Sequence, residues 1–297
     1  MTTDEVDVQG IDLEATLGAL AWLPGDPTLR TAPGRFERAT LTPDGPGGLV
    51  VTWSGSAARI EAGGPGGTWL LTRAPGLLGL LDDVTGFDPR EQPVRDLWRR
   101  NRGRRIARTS TLWHDAAYLI VQQRISRVDA AAQWKRLVHG YGSPSETVPG
   151  LVHPPDPATV GRLGSADFHR LGIDRRRAEH LVSAARAARA LAPLVDRPFE
   201  EALPAVRSVR GLGPWTCSCL GARCWGDRDI AIVGDDGIPS MVAWTLAGEP
   251  RADDARMLEL LEPHRPHRQR VLQLVLAGGR RPPRYGPRRR ANDIRGR

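Results

Sequence analysis

Lysine is almost missing from this 297-residue chain: of 42 basic residues only Lys135 is a lysine, and the other 41 are arginines. A mechanism that uses a lysine amine as nucleophile therefore has a single candidate. Cysteine is scarce as well, with Cys217, Cys219 and Cys224 confined to one short segment. An odd, clustered set cannot build the disulfide framework of a small secreted domain, and it points to a reducing cytoplasm. The same three residues fall short of the four thiolates of an iron–sulfur cluster, so they read as buried helix residues. No apolar run approaches the roughly 18–20 residues of a membrane span, and the acidic segment 1–12 is unlike a signal peptide, so neither membrane insertion nor secretion is expected. Neither GxGxxG nor GxxxxGK[ST] nor HExxH occurs. Nucleotide-cofactor enzymes of the first two designs and zinc hydrolases of the third lose their main sequence support.

What is present is an ordinary globular composition, 40% hydrophobic and 26% charged, in a chain long enough for two or three packed units. Charge is unevenly placed. Residues 1–88 hold twelve acidic residues and five arginines, −7, whereas the remainder carries +15. An acidic accessory unit beside a strongly basic body suggests a polyanionic partner, nucleic acid before an anionic membrane surface. A generic basic surface has the same composition, so charge alone does not decide between the two.

Residues 1–88 read as a mixed α/β unit. Leu13–Leu23 has helical apolar spacing, and residues 48–53, 57–61 and 68–72 read as strands, the last two joined through Gly63–Gly67 as a hairpin loop. From residue 89 to 279 the pattern is helical, with candidate helices at 93–101, 114–139, 157–171, 175–191 and 199–208. The polar trio Gln122-Gln123-Arg124 interrupts the longest of them. Residues 280–297 hold eight arginines, one acid and little apolar content, the composition of a disordered basic tail.

The most informative stretch is 203–216, Leu-Pro-Ala-Val-Arg-Ser-Val-Arg-Gly-Leu-Gly-Pro-Trp-Thr, followed by a short helix and then Val233-Gly-Asp-Asp-Gly-Ile-Pro239. Gly211-Leu212-Gly213 permits a tight turn between helices whose backbone N–H groups can hold a phosphate without reading bases. The same pattern also describes an ordinary helical hairpin. An acid near the start of the next helix is, on its own, a helix cap before it is a catalyst. Both roles can coexist in one residue.

The turn, Pro214-Trp215-Thr216 and an acid about twenty residues on together resemble the helix-hairpin-helix DNA glycosylase superfamily, and more closely its 3-methyladenine DNA glycosylase II (AlkA-type) branch. Four further segments fall in that family's order, 79–89, 116–142, 156–188 and 258–277, so the resemblance covers roughly residues 10–280. It implies an α+β fold: an N-terminal domain similar to a TATA-binding-protein repeat, then two helical subdomains flanking a cleft that receives a base flipped out of duplex DNA. It implies Asp236 as the catalytic carboxylate, with Asp235 as the alternative register, and Trp215 and His267 lining the pocket. Gln123 and Arg124 match the segment that carries the wedge filling the vacated base position, while Gly211, Leu212, Gly213 and Thr216 match DNA-contacting hairpin positions. Backbone carbonyls of Arg207, Val209 and Leu212 match those that hold a Na⁺ or K⁺ ion.

The chemistry is consistent with one acid. An alkylated, positively charged purine leaves without protonation, so the enzyme has chiefly to stabilise an oxocarbenium-like sugar and orient water, which a carboxylate can do. Relatives that also cut the strand place a lysine where Trp215 stands, so the resemblance implies a monofunctional enzyme that initiates base excision repair; the missing phosphate-loop motifs predict no nucleotide cofactor, the cysteine usage a cytoplasmic, nucleoid-associated location, and a monomer is the default expectation. Two alternatives stay open: a damage-binding protein without turnover, in view of Arg124 and His267, and a glycosylase for bulky or oxidised bases.

Overall fold

The computed structural model describes residues 2–283 and Arg295. Most of the expected basic tail therefore lies outside the described residues. The first region is a five-stranded antiparallel sheet formed by β1 (Thr2–Asp7), β2 (Leu29–Ala32), β3 (Arg35–Thr42), β4 (Gly45–Ser54) and β5 (Ala57–Gly63), in the order β1-β5-β4-β3-β2. Helices α1 (Leu13–Gly18) and α2 (Gly67–Leu77) belong to the same region. Strand alternation decides which side chains meet: Leu49 pairs with Ala62 and Val51 with Ile60, and these join Leu17, Phe36, Leu70 and Leu78 in one core. Val50 points the other way and packs with Ala39, Val148 and Leu151. Burial on both faces explains why β4 reads as a nearly continuous apolar run.

Two expectations for this region are corrected. Residues 68–72 are the interior of α2, and Gly63–Gly67 turns β5 into that helix rather than closing a hairpin. The buried residues Leu70, Ala74 and Leu77 have the 3.6-residue period of a helix, which a five-residue window rich in threonine and tryptophan hides.

Beyond the sheet the chain is helical, with α3 (Gln92–Arg100), α4 (Leu112–Gln122), α5 (Arg127–Tyr141), α6 (Pro157–Arg162), α7 (Ser165–Leu171), α8 (Arg175–Leu191), α9 (Phe199–Ser208), α10 (Pro214–Leu220), α11 (Ile238–Ala247), α12 (Asp254–Leu261) and α13 (Arg268–Gly278). The helix expected at 114–139 is two helices. Its polar trio is the break: Arg124 takes a left-handed φ of 58°, and Ser126 caps α5 by accepting a hydrogen bond from the Asp129 N–H at 3.1 Å. Residues 157–171 likewise divide, at Leu163-Gly164, into α6 and α7.

The helical region has two cores. One surrounds α4, ten of whose residues are buried, and includes Trp134, Leu181, Val206 and Leu212. The other joins α3, α11, α12 and α13 through Val94, Leu97, Val242, Met257 and Leu272. Trp215, Cys219 and Ile230 pack against both. The hairpin helix α10 therefore lies at the seam.

Sheet and helices are joined by a buried charge cluster. Asp115 of α4 accepts from the Arg223 guanidinium at 2.7 Å and lies 3.6 Å from Arg38 of β3; Thr109 and Thr111 donate to its other oxygen. Arg223 also lies 4.8 Å over the Tyr118 ring.

Candidate active site

Helix α9 ends at Ser208, residues 209–213 turn, and α10 begins at Pro214. Gly211 supplies the required φ of 97°, a region that side-chain-bearing residues rarely adopt, and Leu212 is the apolar pivot, buried in the first helical core. Proline at the first helical position of α10 has no N–H to leave unsatisfied.

This turn forms one wall of a cleft of about 580 Å³. The loop before α11 brings Gly234, Asp235 and Asp236 to the cleft, the α4–α5 break brings Gln122 to Ile125, and α8 with its cap brings Asp174, Arg176, Arg177 and His180. Trp215 is half-buried at the meeting point, and its indole Nε1 donates to Asp235 Oδ2 at 3.1 Å. The other oxygen of Asp235 accepts from the backbone N–H groups of Gly237 at 2.9 Å and Ile238 at 3.0 Å. Asp235 therefore binds the backbone at the start of α11 and the cleft tryptophan at once, a carboxylate held in place by three donors. Gly234, at φ 75°, allows the chain to pass so close to Trp215 that a Cβ there would lie 3.3 Å from the tryptophan Cβ. Asp236 is exposed on the same wall.

The α4–α5 break is tied to the hairpin by one side chain. Gln123 Nε2 donates to the Gly211 carbonyl at 2.8 Å and to Thr216 Oγ1 at 2.9 Å, while its Oε1 lies 2.8 Å from His180 Nδ1. Thr216 is buried, so it serves this junction rather than an outer surface. Next to Gln123, Arg124 is exposed at the tip of the break. Arg177 is buried beneath, donating to the Val121 carbonyl at 2.8 Å, to Gln133 at 2.6 Å and to Asp174 at 2.6 Å. Burial, reinforced by Arg176 and Arg210, holds the His180 imidazole below the usual histidine range.

The structure thus gathers Gln123, Arg124, Gly211, Gly213, Trp215, Thr216, Asp235 and Asp236 around one cleft. His267 is not among its lining residues. It is buried at the start of α13, with its ring 5.2 Å from Phe87 and accepting from Arg270 Nε at 3.4 Å, and burial lowers its pKa. Lys135 is exposed on α5 and does not line the cleft either. Of the carbonyls considered for a cation, that of Val209 accepts from the Leu212 N–H at 3.0 Å and that of Leu212 from the Cys217 thiol at 3.1 Å. No cluster of three or more His, Cys, Asp or Glu side chains suited to a metal occurs among the described residues. Sequence reading missed His180 and the buried Arg177. The signal for Arg177 was a three-arginine run behind the cap Asp174, in which only a packed structure tells which arginine turns inward.

No protein-family model matches the chain. Among curated proteins, DNA-3-methyladenine glycosylase 2 of Escherichia coli K12 is 26% identical over 118 residues, 39% of this chain and 42% of that protein. The match thus spans less than half the length of that relative. Among solved structures, a 3-methyladenine DNA-glycosylase from Archaeoglobus fulgidus superposes with a TM-score of 0.76 at 21% identity, covering 92% of this chain and 97% of the other. The Clostridium acetobutylicum 8-oxoguanine glycosylase/lyase, in complex with double-stranded DNA containing cytosine opposite 8-oxoG, gives 0.69 at 12% identity over 93% and 96% of the two chains. Sheet, helical body and hairpin therefore follow the fold of helix-hairpin-helix DNA glycosylases, a fold carried by proteins named for alkylated and for oxidised bases alike.

Proposed function

We propose that this chain, built on the helix-hairpin-helix glycosylase fold, is a DNA glycosylase that initiates base excision repair, hydrolysing the N-glycosidic bond of a damaged base flipped out of duplex DNA into the cleft. The observation that carries the reading is Asp235: a carboxylate immobilised by two backbone N–H groups and the Trp215 indole, at the edge of a cleft beside the hairpin turn. A carboxylate fixed before substrate arrives stabilises an oxocarbenium-like sugar without reorganisation when the bond breaks. Asp236, the residue favoured by the sequence reading, stands on the same wall. Asp235 is preferred on its own geometry, since three donors hold its carboxylate in one place. Trp215 offers a face for the extruded base, and Arg124, protruding from the α4–α5 break, is suited to fill the vacated stack and to hydrogen-bond the orphaned base.

The finer reading is a monofunctional enzyme for alkylated purines of the 3-methyladenine and 7-methylguanine type. A base that already carries positive charge leaves unaided, and no lysine lines the cleft to form a Schiff base. The carbonyls of Arg207, Val209 and Leu212 are the candidates for a Na⁺ or K⁺ ion; those of Val209 and Leu212 each keep a second lone pair beyond the bond they accept. A second reading, a glycosylase for oxidised or bulky lesions, is favoured by the withdrawal of His267 from the cleft, which leaves Trp215 and the imidazole of His180 as the aromatic rings among the residues lining it.

The test is base release under single-turnover conditions from methylated duplex DNA and from duplexes carrying 8-oxoguanine, with strand cleavage scored separately. The native protein should release methylpurines and leave intact abasic strands, with Asp235→Asn slower by orders of magnitude and Asp236→Asn close to native. The reverse order of the two variants would return the role to Asp236. Release confined to the oxidised duplex would transfer the assignment to the second reading, and DNA binding without any release would leave a damage-binding protein.

A further inference from the structure

His180 is used by neither the carboxylate chemistry nor the wedge, yet its ring touches both the hairpin and the loop that carries Arg124. The Gly211 carbonyl can only accept, so the Gln123 atom 2.8 Å from it is the amide nitrogen, which also donates to Thr216 Oγ1 at 2.9 Å. The Gln123 oxygen is then left facing His180 Nδ1 at 2.8 Å, and the hydrogen between them must come from the ring. Burial, with Arg176 and Arg210 adding to it, keeps this imidazole neutral at pH 7, so it carries one hydrogen, on Nδ1. The ring also occupies the space above Gly211: a Cβ there would lie 2.4 Å from both His180 Cβ and Cγ. One side chain of α8 thus packs on the turn and sets the amide that links turn to loop.

We propose that His180 is a positioning residue, whose Nδ1–H orients the Gln123 amide and thereby sets the spacing between the Arg124 loop and the hairpin turn. Packing alone is the competing explanation, since the ring would fill the space over Gly211 whichever nitrogen carried the hydrogen. The two differ in what the variants do. Phenylalanine keeps a ring over Gly211 but has no donor; asparagine places an N–H close to the position of Nδ1; glutamine places its amide nearer the position of Nε2.

The kinetic arm of the test rests on the glycosylase reading, and the spectroscopic arm does not. In the native protein, long-range ¹H–¹⁵N correlation at pH 7 should find His180 protonated at Nδ1 and bare at Nε2. The Gln123 side-chain amide should show slowed hydrogen exchange that is lost in His180→Phe. The opposite tautomer, or Gln123 protection unchanged in His180→Phe, would overturn the proposal even if no substrate were ever turned over. On a cleaved duplex, His180→Phe and His180→Gln should release base about tenfold more slowly, and His180→Asn should return to within about threefold of native. Equal rates for His180→Phe and native protein, or His180→Asn as slow as His180→Phe, would leave packing as the whole of the residue's role. Native protein that releases no base from any duplex refutes the glycosylase reading and leaves the spectroscopic arm to decide on His180.

Discussion

Replacing Asp115 with alanine or asparagine should destabilise the whole molecule more than any single change in the cleft. The carboxylate is fully buried between Arg38, 3% exposed, and Arg223, 13% exposed, and its two oxygens serve both guanidinium groups and the hydroxyls of Thr109 and Thr111. These partners lie on β3, on the segment before α4 and on the turn after α10, so the cluster joins the sheet to the helical body. Removing the negative member leaves two buried cations facing each other. Breaking a buried pair of this kind costs about 3–5 kcal/mol. At roughly 2–4 °C per kcal/mol for a domain of this general size, Tm should fall by about 6–20 °C. Urea titration followed by tryptophan fluorescence and far-UV circular dichroism measures it directly, as a lower midpoint with an unchanged slope. The combined replacement Arg38→Met, Asp115→Leu and Arg223→Met, which removes every charge at once, should recover most of the loss. A loss below about 1 kcal/mol for Asp115→Ala, or a triple variant less stable than the single one, would refute the reasoning.

Stability should also fall on acidification. Burial, with Arg38, Arg223 and His153 contributing, holds His114 well below the usual histidine range, so the folded protein keeps it neutral while the unfolded chain protonates. Nothing is lost above about pH 6.5; below it this residue should remove about 1.4 kcal/mol per pH unit, and His114→Gln should flatten the dependence in urea midpoints measured from pH 7.5 to 5. Gly211→Ala, forced to φ 97° and against the His180 ring, should weaken DNA binding and speed hydrogen exchange in the hairpin; native-like values for both would mean that the turn tolerates rearrangement. The cysteines should be inert to iodoacetamide at pH 7.5 until the protein is unfolded. Burial pushes Cys217 up to about 11 and Cys219 and Cys224 higher still, and rapid modification of the native protein would contradict that. DNA affinity should decline linearly with salt on logarithmic axes, and Arg124→Ala should weaken retention of abasic duplex more than it changes the slope.

The helices α8 and α9 were legible in the sequence to the residue, because local chemistry sets their ends: Asp174 caps one, and Pro198 precedes the other. Helix α2 was not, since its period shows only over eleven residues while its first half resembles a strand. The α4–α5 break was visible as three polar residues interrupting a helix, but the helix was still drawn through it as 114–139, because apolar spacing continues on both sides. For the cleft, order along the chain located the hairpin, the tryptophan and the pair of acids. It named Asp236 with Asp235 as the alternative register, and it could not foresee that the turn at Gly234 aims the Asp235 carboxylate at the N–H groups at the start of α11. Nor could it place His267, whose surroundings are set by Phe87 and by Arg270, itself paired with Asp82 nearly two hundred residues away.

The α4–α5 break also bears on the thermodynamics of engaging a duplex. Its first residue is pinned to the hairpin through Gln123 and its last, Ser126, caps α5, so the backbone of the four-residue loop has almost no freedom left to surrender. Ordering a comparable free loop would cost about 1–2 kcal/mol per residue. With Arg124 as the proposed wedge, the entropy lost on insertion would shrink to that of one arginine side chain, about 2 kcal/mol. Insertion should therefore be limited by how readily base pairs open, so that damaged or mismatched steps, already weakly stacked, are entered faster than sound ones.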